Sequence, residues 1–155
     1  MNQIAERFAP YGIGSTFVYT NEAHPGEHYL HLTSMEQKFR HARALRDIYG
    51  VTRPILIDTL EGDCHRAYGM MPNMTWIFAR SGVPVYKTDW TDSRSVESAV
   101  EYLLEVLNRR RAGERLVPQR IERLDYRTRD QEAFFRGLEK NGPKAVREFQ
   151  EAFGN

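Results

Sequence analysis

Short β-rich runs alternate with helical segments along the chain, and this alternation limits the fold more than any other feature of the sequence. Ser15–Thr20 is rich in β-branched and aromatic residues, and Pro54–Asp58 is a second short apolar run, so each predicts a buried strand. Between them, Ser34–Tyr49 has apolar residues at helical spacing and is followed by Gly50, which predicts a helix that ends at that glycine. Strands that alternate with helices are typical of an α/β protein.

Two further runs predict a hairpin and a long helix. Met74–Ala79 and Val83–Thr88 are β-rich, and the intervening Arg80–Gly82 is typical of a tight turn. Ser93 can cap a helix that continues to about Arg111 with a regular apolar stripe. Together with the first strands and helix, these segments predict an α/β sandwich.

Length and composition are those of an ordinary single-domain protein. A chain of 155 residues can bury a core without disulfides or metal, and a net charge of +1 gives no general signal for a polyanionic partner. The N-terminal residues lack the basic and apolar blocks of a signal peptide, and no apolar run approaches the roughly 20 residues that span a bilayer. We therefore expect a cytoplasmic protein that binds neither nucleic acid nor membranes.

The last part of the chain differs in composition from the rest. Residues 109–129 are rich in arginine and poor in apolar groups, which predicts a basic linker that is solvated or ion-paired. Asp130–Lys140 and Pro143–Phe153 predict two short helices whose aromatic side chains are too apolar to stay exposed. We expect residues 1–108 to form the main domain and residues 109–155 to form a linker and helical extension, which docks on that domain or on a second subunit.

Four short segments occur in a characteristic order: Phe17–Gly26, Pro54–Glu61, Ala67–Pro72 and Trp76–Tyr86. The first contains Glu-Ala-His after a strand, the second Asp-Thr-Leu-Glu, the third Ala-Tyr-Gly-Met-Met-Pro, and the fourth a hairpin with Gly-Val-Pro-Val-Tyr. This set resembles the iodothyronine deiodinases and their bacterial relatives, and the similarity covers roughly the first two thirds of the chain. The Glu-Ala-His and Asp-Thr-x-Glu pieces are the most specific.

The resemblance implies a thioredoxin-like fold, a three-layer α/β sandwich around a mixed sheet. Glu22 and His24 match the family's acid and histidine beside the catalytic centre, where a carboxylate and an imidazole can move protons near neutral pH. Pro72 matches a cis-proline beside the redox site, and Pro72, Met71 and Tyr19 would contact the substrate. Considered without the family, Glu22 caps a turn, His24 lies on the surface and Pro72 is an ordinary trans proline.

The family's nucleophile, a cysteine or selenocysteine, has no counterpart in this sequence. In the family it opens the helix that corresponds to residues 2–9, after the first core strand. We therefore expect one of three arrangements. The nucleophile and strand precede Met1 in the natural protein, another segment or chain supplies the strand, or the strand at 16–20 pairs antiparallel with the strand at 74–79.

Cys64, the one cysteine of the chain, could act as a displaced nucleophile or a resolving thiol. It lies near the start of a short helix predicted at Asp63–Tyr68, and a cationic His65 beside it would favour the thiolate. A lone cysteine is more often a small buried hydrophobe, and it allows neither an intrachain disulfide nor a cysteine-rich zinc site.

Three histidines, His24, His28 and His31, have the spacing of one helix face, which a metal site could use. Pro25 and Gly26 interrupt the first interval, so we expect no metal.

Three hypotheses for the function follow. The first is a deiodinase-like thiol oxidoreductase that reduces a halogenated or peroxide substrate with an upstream cysteine or selenocysteine as nucleophile. Glu22 and His24 would be its proton relay and Pro72 would shape the substrate groove, with an external thiol reductant and no bound cofactor. The second is a catalytically inactive thioredoxin-like subunit that binds a partner or forms a homodimer through its sheet edge or C-terminal helices. The third is an enzyme that uses Cys64 with His24 or His65.

Overall fold

The computed structural model describes residues 1–116 and 130–154, and these residues form a mixed α/β protein with two small sheets. The strands are β1 (Phe17–Tyr19), β2 (Ile55–Ile57), β3 (Thr75–Phe78) and β4 (Pro84–Thr88). The helices are α1 (Asn2–Phe8), α2 (Met35–Tyr49), α3 (Asp63–Tyr68), α4 (Ser93–Arg111), α5 (Gln131–Glu139) and α6 (Pro143–Phe153), with a 3-10 turn at Ala9–Tyr11. Their order confirms the predicted α/β class.

The described residues divide into two units by their contacts. The larger unit contains residues 2–72 and 130–154, and the smaller unit contains residues 73–116 together with Met1. Helices α5 and α6, predicted as an extension, therefore belong with the first half of the chain.

In the larger unit, β1 and β2 pair in parallel, with Phe17 opposite Ile55 and Tyr19 opposite Ile57. Helix α2 connects the two strands and packs against β2. A parallel pair needs such a crossover connection, because a short turn can join only antiparallel neighbours. The predicted strands at Ser15–Thr20 and Pro54–Asp58 are both present, each shortened at its ends.

In the smaller unit, β3 and β4 form the predicted antiparallel hairpin, with Ile77 opposite Tyr86. Helix α4 follows the hairpin and buries Val96 and Val100, two residues of the predicted apolar stripe.

Side-chain caps mark the starts of the two long helices. The Ser34 hydroxyl accepts a hydrogen bond from the Gln37 backbone N–H at 3.2 Å, so the helix predicted from Ser34 begins one residue later, at Met35. The predicted cap Ser93 is wrong by one residue, because the carboxylate of Asp92 accepts from the Ser95 N–H at 2.9 Å. A carboxylate also interacts favourably with the positive end of the helix dipole.

The four described strands form two separate two-stranded sheets. The expected proximity of strand 54–58 to strand 16–20 is confirmed by the parallel pairing of β1 with β2. The three expected arrangements for the missing strand, and the thioredoxin-like sandwich itself, stay predictions.

Helices α5 and α6 dock on the loop that follows β1. The Asn141 side chain donates to the His24 carbonyl and accepts from the Tyr29 N–H, each at 2.6 Å. The Glu27 carboxylate accepts from the Lys144 N–H at the start of α6 at 2.9 Å. These contacts confirm that the two helices dock on the rest of the chain.

The predicted basic linker at 109–129 is described only in its first part. Arg109–Arg111 are the last residues of α4, and Arg109 Nε donates to the Glu114 carboxylate at 2.7 Å. Cations at a helix C-terminus are favoured by the dipole, so an ion-paired helix end accounts for this part. Residues 117–129 lie outside the described residues.

Among the described residues, the buried apolar side chains are few and occur in both units. They are Phe8, Tyr19, Ala42, Leu138 and Ala145 in the larger unit, and Val96 and Val100 in the smaller unit.

No helix within residues 1–116 or 130–154 combines the length and hydropathy needed to cross a bilayer.

Candidate functional site

A cleft of about 280 Å³ opens at the carboxyl ends of β1 and β2. The carboxyl ends of parallel strands meet at one edge of a sheet, which is where α/β proteins commonly bind ligands. Ionisable side chains of both signs line this cleft, so it can exchange protons with a bound molecule. The lining residues are Thr20, Asn21, Glu22, His31, Leu32, Leu60, Glu61, Gly62, His65, Arg66 and Met70.

Glu22, a predicted catalytic residue, lines this cleft and is held by two aromatic side chains of the larger unit. The Tyr19 hydroxyl donates to Glu22 Oε1, and His41 Nδ1 lies 3.5 Å from the same oxygen. The Tyr29 ring meets the His41 ring edge-on, with 5.2 Å between the centroids. Burial, reinforced by the Glu22 carboxylate, raises the pKa of Tyr19 above its usual value, so the phenol stays protonated and keeps donating.

His41 was missed by the sequence analysis, as was Lys38 one turn earlier on α2. His41 is 8% exposed and its Nδ1 has no hydrogen-bond partner, while Lys38 is 1% exposed and donates to the Thr59 carbonyl at 2.6 Å. Burial lowers the pKa of Lys38, although Asp58 and Glu61 act in the opposite direction. Both residues lie on the core-facing stripe of α2, and their polar character at that spacing was the available signal.

Asp58, part of the Asp-Thr-x-Glu segment, organises the loop beside the cleft. Its carboxylate accepts from the backbone N–H groups of Thr59, Cys64 and His65 at 2.8–2.9 Å. Burial alone would raise the pKa of Asp58, but these donors and the nearby Lys38 lower it below its usual value. Asp58 therefore acts as an ionised anchor for the start of α3.

Cys64, a predicted catalytic residue, lies in the first turn of α3 and is half-buried. Burial, and then the charge of Asp58, raise the pKa of its thiol. The adjacent His65 directs Nε2 to the Met71 carbonyl at 3.1 Å. A thiol nucleophile is activated by a lowered pKa, so the raised pKa of Cys64 has the opposite effect.

His24, the third predicted catalytic residue, packs in the aromatic cluster of the C-terminal helices and is not among the residues that line the cleft. Its ring meets those of Phe134 and Phe149 edge-on, with centroids 5.7 and 5.6 Å away. Burial lowers the pKa of His24, with Glu22 acting in the opposite direction, so the neutral imidazole is favoured.

Met71 and Pro72, predicted to contact substrate, follow the cleft residue Met70, and both are exposed. The predicted cis bond before Pro72 is wrong, since the described residues contain no cis peptide bond. The trans isomer is the intrinsically preferred one, and a cis bond persists only where the surrounding structure requires it. The third predicted substrate contact, Tyr19, is buried with its hydroxyl on Glu22.

The histidine triplet does not form a shared helix face, because residues 20–33 contain no helix. His31 lines the cleft, whereas the His28 N–H donates to the Asn141 carbonyl at 3.2 Å. Within the part of the chain that the structure describes, no group of three or more histidine, cysteine, aspartate or glutamate side chains could hold a metal ion.

The fold and cleft together define a mixed α/β protein with an ionisable site at the carboxyl edge of a parallel strand pair. No family model, curated protein or solved structure matches the chain.

Proposed function

We propose that this protein is a deiodinase-like, thiol-dependent oxidoreductase with a thioredoxin-like fold, and that Glu22 is its proton-transfer group. The observation that carries the proposal is the position of Glu22 at the cleft, with the Tyr19 hydroxyl and His41 Nδ1 on the same carboxylate oxygen. A carboxylate beside an imidazole is a suitable proton relay near neutral pH.

The reaction consumes an organic halide and two thiols. For an aryl iodide, the carbon–iodine bond breaks and a carbon–hydrogen bond forms, while two thiols lose two electrons and two protons to form one disulfide. One of those protons goes to the carbon, and the other is released with iodide. Glu22 delivers the proton to carbon, and an external dithiol supplies the electrons.

The neighbours of Glu22 take different roles in this proposal. Tyr19 positions the carboxylate, because its buried hydroxyl donates to it. His41 returns a proton to Glu22, because its Nδ1 lies 3.5 Å away and has no hydrogen-bond partner. His24 packs in the aromatic cluster, where the Glu22 carboxylate opposes the lowering of the His24 pKa by burial. Met71 and Pro72 border the substrate at the exposed end of the cleft.

The test is an iodide-release assay on the full chain with diiodotyrosine and dithiothreitol, together with a peroxide-consumption assay under the same conditions. We expect thiol-dependent turnover that falls on the order of a hundredfold in Glu22→Gln, the lower range for loss of a general acid. Glu36→Gln, which alters an exposed glutamate on α2 paired with Arg40, is the matched control and should leave turnover unchanged.

Turnover that is equal in Glu22→Gln and wild type would show that Glu22 is not the proton donor. Absence of turnover with both substrates would contradict the redox proposal as a whole. The variant Cys64→Ser tests the third hypothesis, an enzyme that uses Cys64. An unchanged rate of turnover would exclude Cys64 as the nucleophile.

A second candidate function is a non-catalytic binding module on the same scaffold. The raised pKa of Cys64 favours it, because burial and the charge of Asp58 disfavour the reactive thiolate of the one cysteine in the chain. In that case the cleft binds a small polar molecule without turnover. Titration of diiodotyrosine by isothermal calorimetry distinguishes the two, since the module predicts saturable binding in wild type with no iodide released.

A further inference from the structure

A second concave surface, here called the arginine groove, lies between helix α2 and strand β2 on the larger unit. It has a volume of about 470 Å³. It shares no lining residue with the cleft, although both lie beside the β1–β2 pair. One wall comes from α2 and the other from the strand and the segment before it. The lining residues are Phe39, Ala42, Arg43, Arg46, Val51, Thr52, Arg53, Pro54, Ile55 and Ile57.

Three arginines from both walls give the groove its charge. Arg43 and Arg46 lie one turn apart on α2, and Arg53 precedes β2. Arg53 Nε is buried and has no hydrogen-bond partner, while the same guanidinium donates to Ser15 Oγ at 3.3 Å. Burial lowers the pKa of Arg53. A buried guanidinium N–H without an acceptor leaves a hydrogen bond available to a ligand.

Acidic groups near the groove do not neutralise this charge. None of the residues that line it is acidic. Arg46 Nε lies 3.2 Å from Asp47 Oδ1, but both side chains are more than half exposed, so that pair is weak. Glu6 reaches the rim through a 3.3 Å hydrogen bond from Thr52. The groove therefore favours an anionic occupant.

The floor of the groove is a strand edge with unused backbone groups. The Phe17 N–H donates to the Pro54 carbonyl, and the Asp58 N–H donates to the Tyr19 carbonyl. In a parallel pair with this register, the intervening backbone groups of Ile55 and Ile57 point away from β1. Within the described residues no further strand pairs with β2, so its outer edge is open to an added strand.

We propose that the arginine groove binds an extended acidic peptide of a partner protein, which adds a strand to the edge of β2. Backbone pairing with Ile55 and Ile57 supplies the register, apolar side chains of the peptide pack on Phe39 and the isoleucines, and its carboxylates pair with the arginines. The groove runs along the whole strand and two turns of α2, which suits a strand better than a small anion. A second copy of β2 would bring the same three arginines to the edge, so self-pairing is disfavoured by like charge.

The proposal is tested on the full chain with a fluorescein-labelled probe, an eight-residue peptide of alternating valine and glutamate, by fluorescence anisotropy. We expect saturable binding that weakens as salt rises. The double variant Arg43→Gln/Arg46→Gln should weaken binding about fivefold or more, given the usual strength of exposed ion pairs. Both arginines are exposed, so the variant should fold. Arg40→Gln on the same helix, outside the groove, is the matched control and should bind as wild type does.

Amide chemical shifts of Ile55 and Ile57 should move on titration with the same probe, since backbone pairing is part of the proposal. Equal weakening by Arg40→Gln would show non-specific charge attraction and overturn it. Competition by inorganic phosphate at the same concentration as the peptide would show a small-anion site and overturn it as well. A concentration-dependent dimer without peptide binding would assign the edge to a second copy. These results are independent of the iodide-release assay.

Discussion

The carboxylate of Asp58 shows how much of the cleft depends on one buried charge. It accepts three backbone N–H groups, which join the end of β2 to the first turn of α3. Cleft residues Glu61 and His65 are carried on that segment. Hydrogen bonds to an ionised group are about twice as strong as neutral ones, so the loop geometry depends on Asp58 staying charged.

Replacement of Asp58 by Asn tests this role and its dependence on pH. The pKa of Asp58 is lowered below 3.8 in the folded chain, so its contribution is present above that pH and is lost as pH falls through the folded pKa. We expect Asp58→Asn to lower the free energy of unfolding by about 2 kcal/mol at pH 7, and the difference from wild type to shrink at pH 3.

Urea unfolding of wild type and Asp58→Asn at pH 7 and pH 3 measures the difference in free energy of unfolding at each pH. Asp47→Asn, which removes an exposed carboxylate from α2, is the control and should change stability by less than about 0.5 kcal/mol. A difference between Asp58→Asn and wild type that is the same at both pH values would contradict the assignment.

The helical pair α5–α6 is held to the loop after β1 by close approach of two backbones. A Cβ on Gly26 would lie 2.4 Å from the Asn141 carbonyl oxygen and 3.0 Å from the Ala145 Cβ. This contact needs a residue without a side chain, so Gly26 is required by packing rather than by a turn. In the sequence, Pro25 and Gly26 indicate only an interruption between His24 and His28, and that pattern does not reveal this packing role.

Substitution of Gly26 by Ala should therefore loosen the helical pair. We expect a loss of about 1–3 kcal/mol in the free energy of unfolding, the usual range for overpacking, and faster trypsin cleavage within α5 and α6. Gly14→Ala is the matched control, because a Cβ there meets nothing within 4 Å. Equal stability of Gly26→Ala and Gly14→Ala would show that the backbones can separate without cost.

For the molecule as a whole, local patterns predicted the elements and missed the long-range contacts. The strands at 17–19 and 55–57 and the β3–β4 hairpin follow from residues within a few positions of one another. Lys38 and His41 broke the apolar pattern of α2, and their partners Thr59 and Glu22 are distant in sequence. Such pairings are set by tertiary contacts, which a local pattern does not contain.

The docking of Asn141 on His24 joins segments more than a hundred residues apart, so the C-terminal helices should share the stability of the larger unit. Leu138 on α5 is 5% exposed, and its replacement by Ala should cost about 2–5 kcal/mol. We expect hydrogen exchange to accelerate in α2 and β2 as well as in α5 and α6, because these elements belong to one cooperative body. Leu107→Ala on α4, where the side chain is 44% exposed, is the control and should leave exchange in α2 unchanged. Faster exchange confined to α5 and α6 in the Leu138 variant would show that the two helices open independently of the strands that carry the cleft.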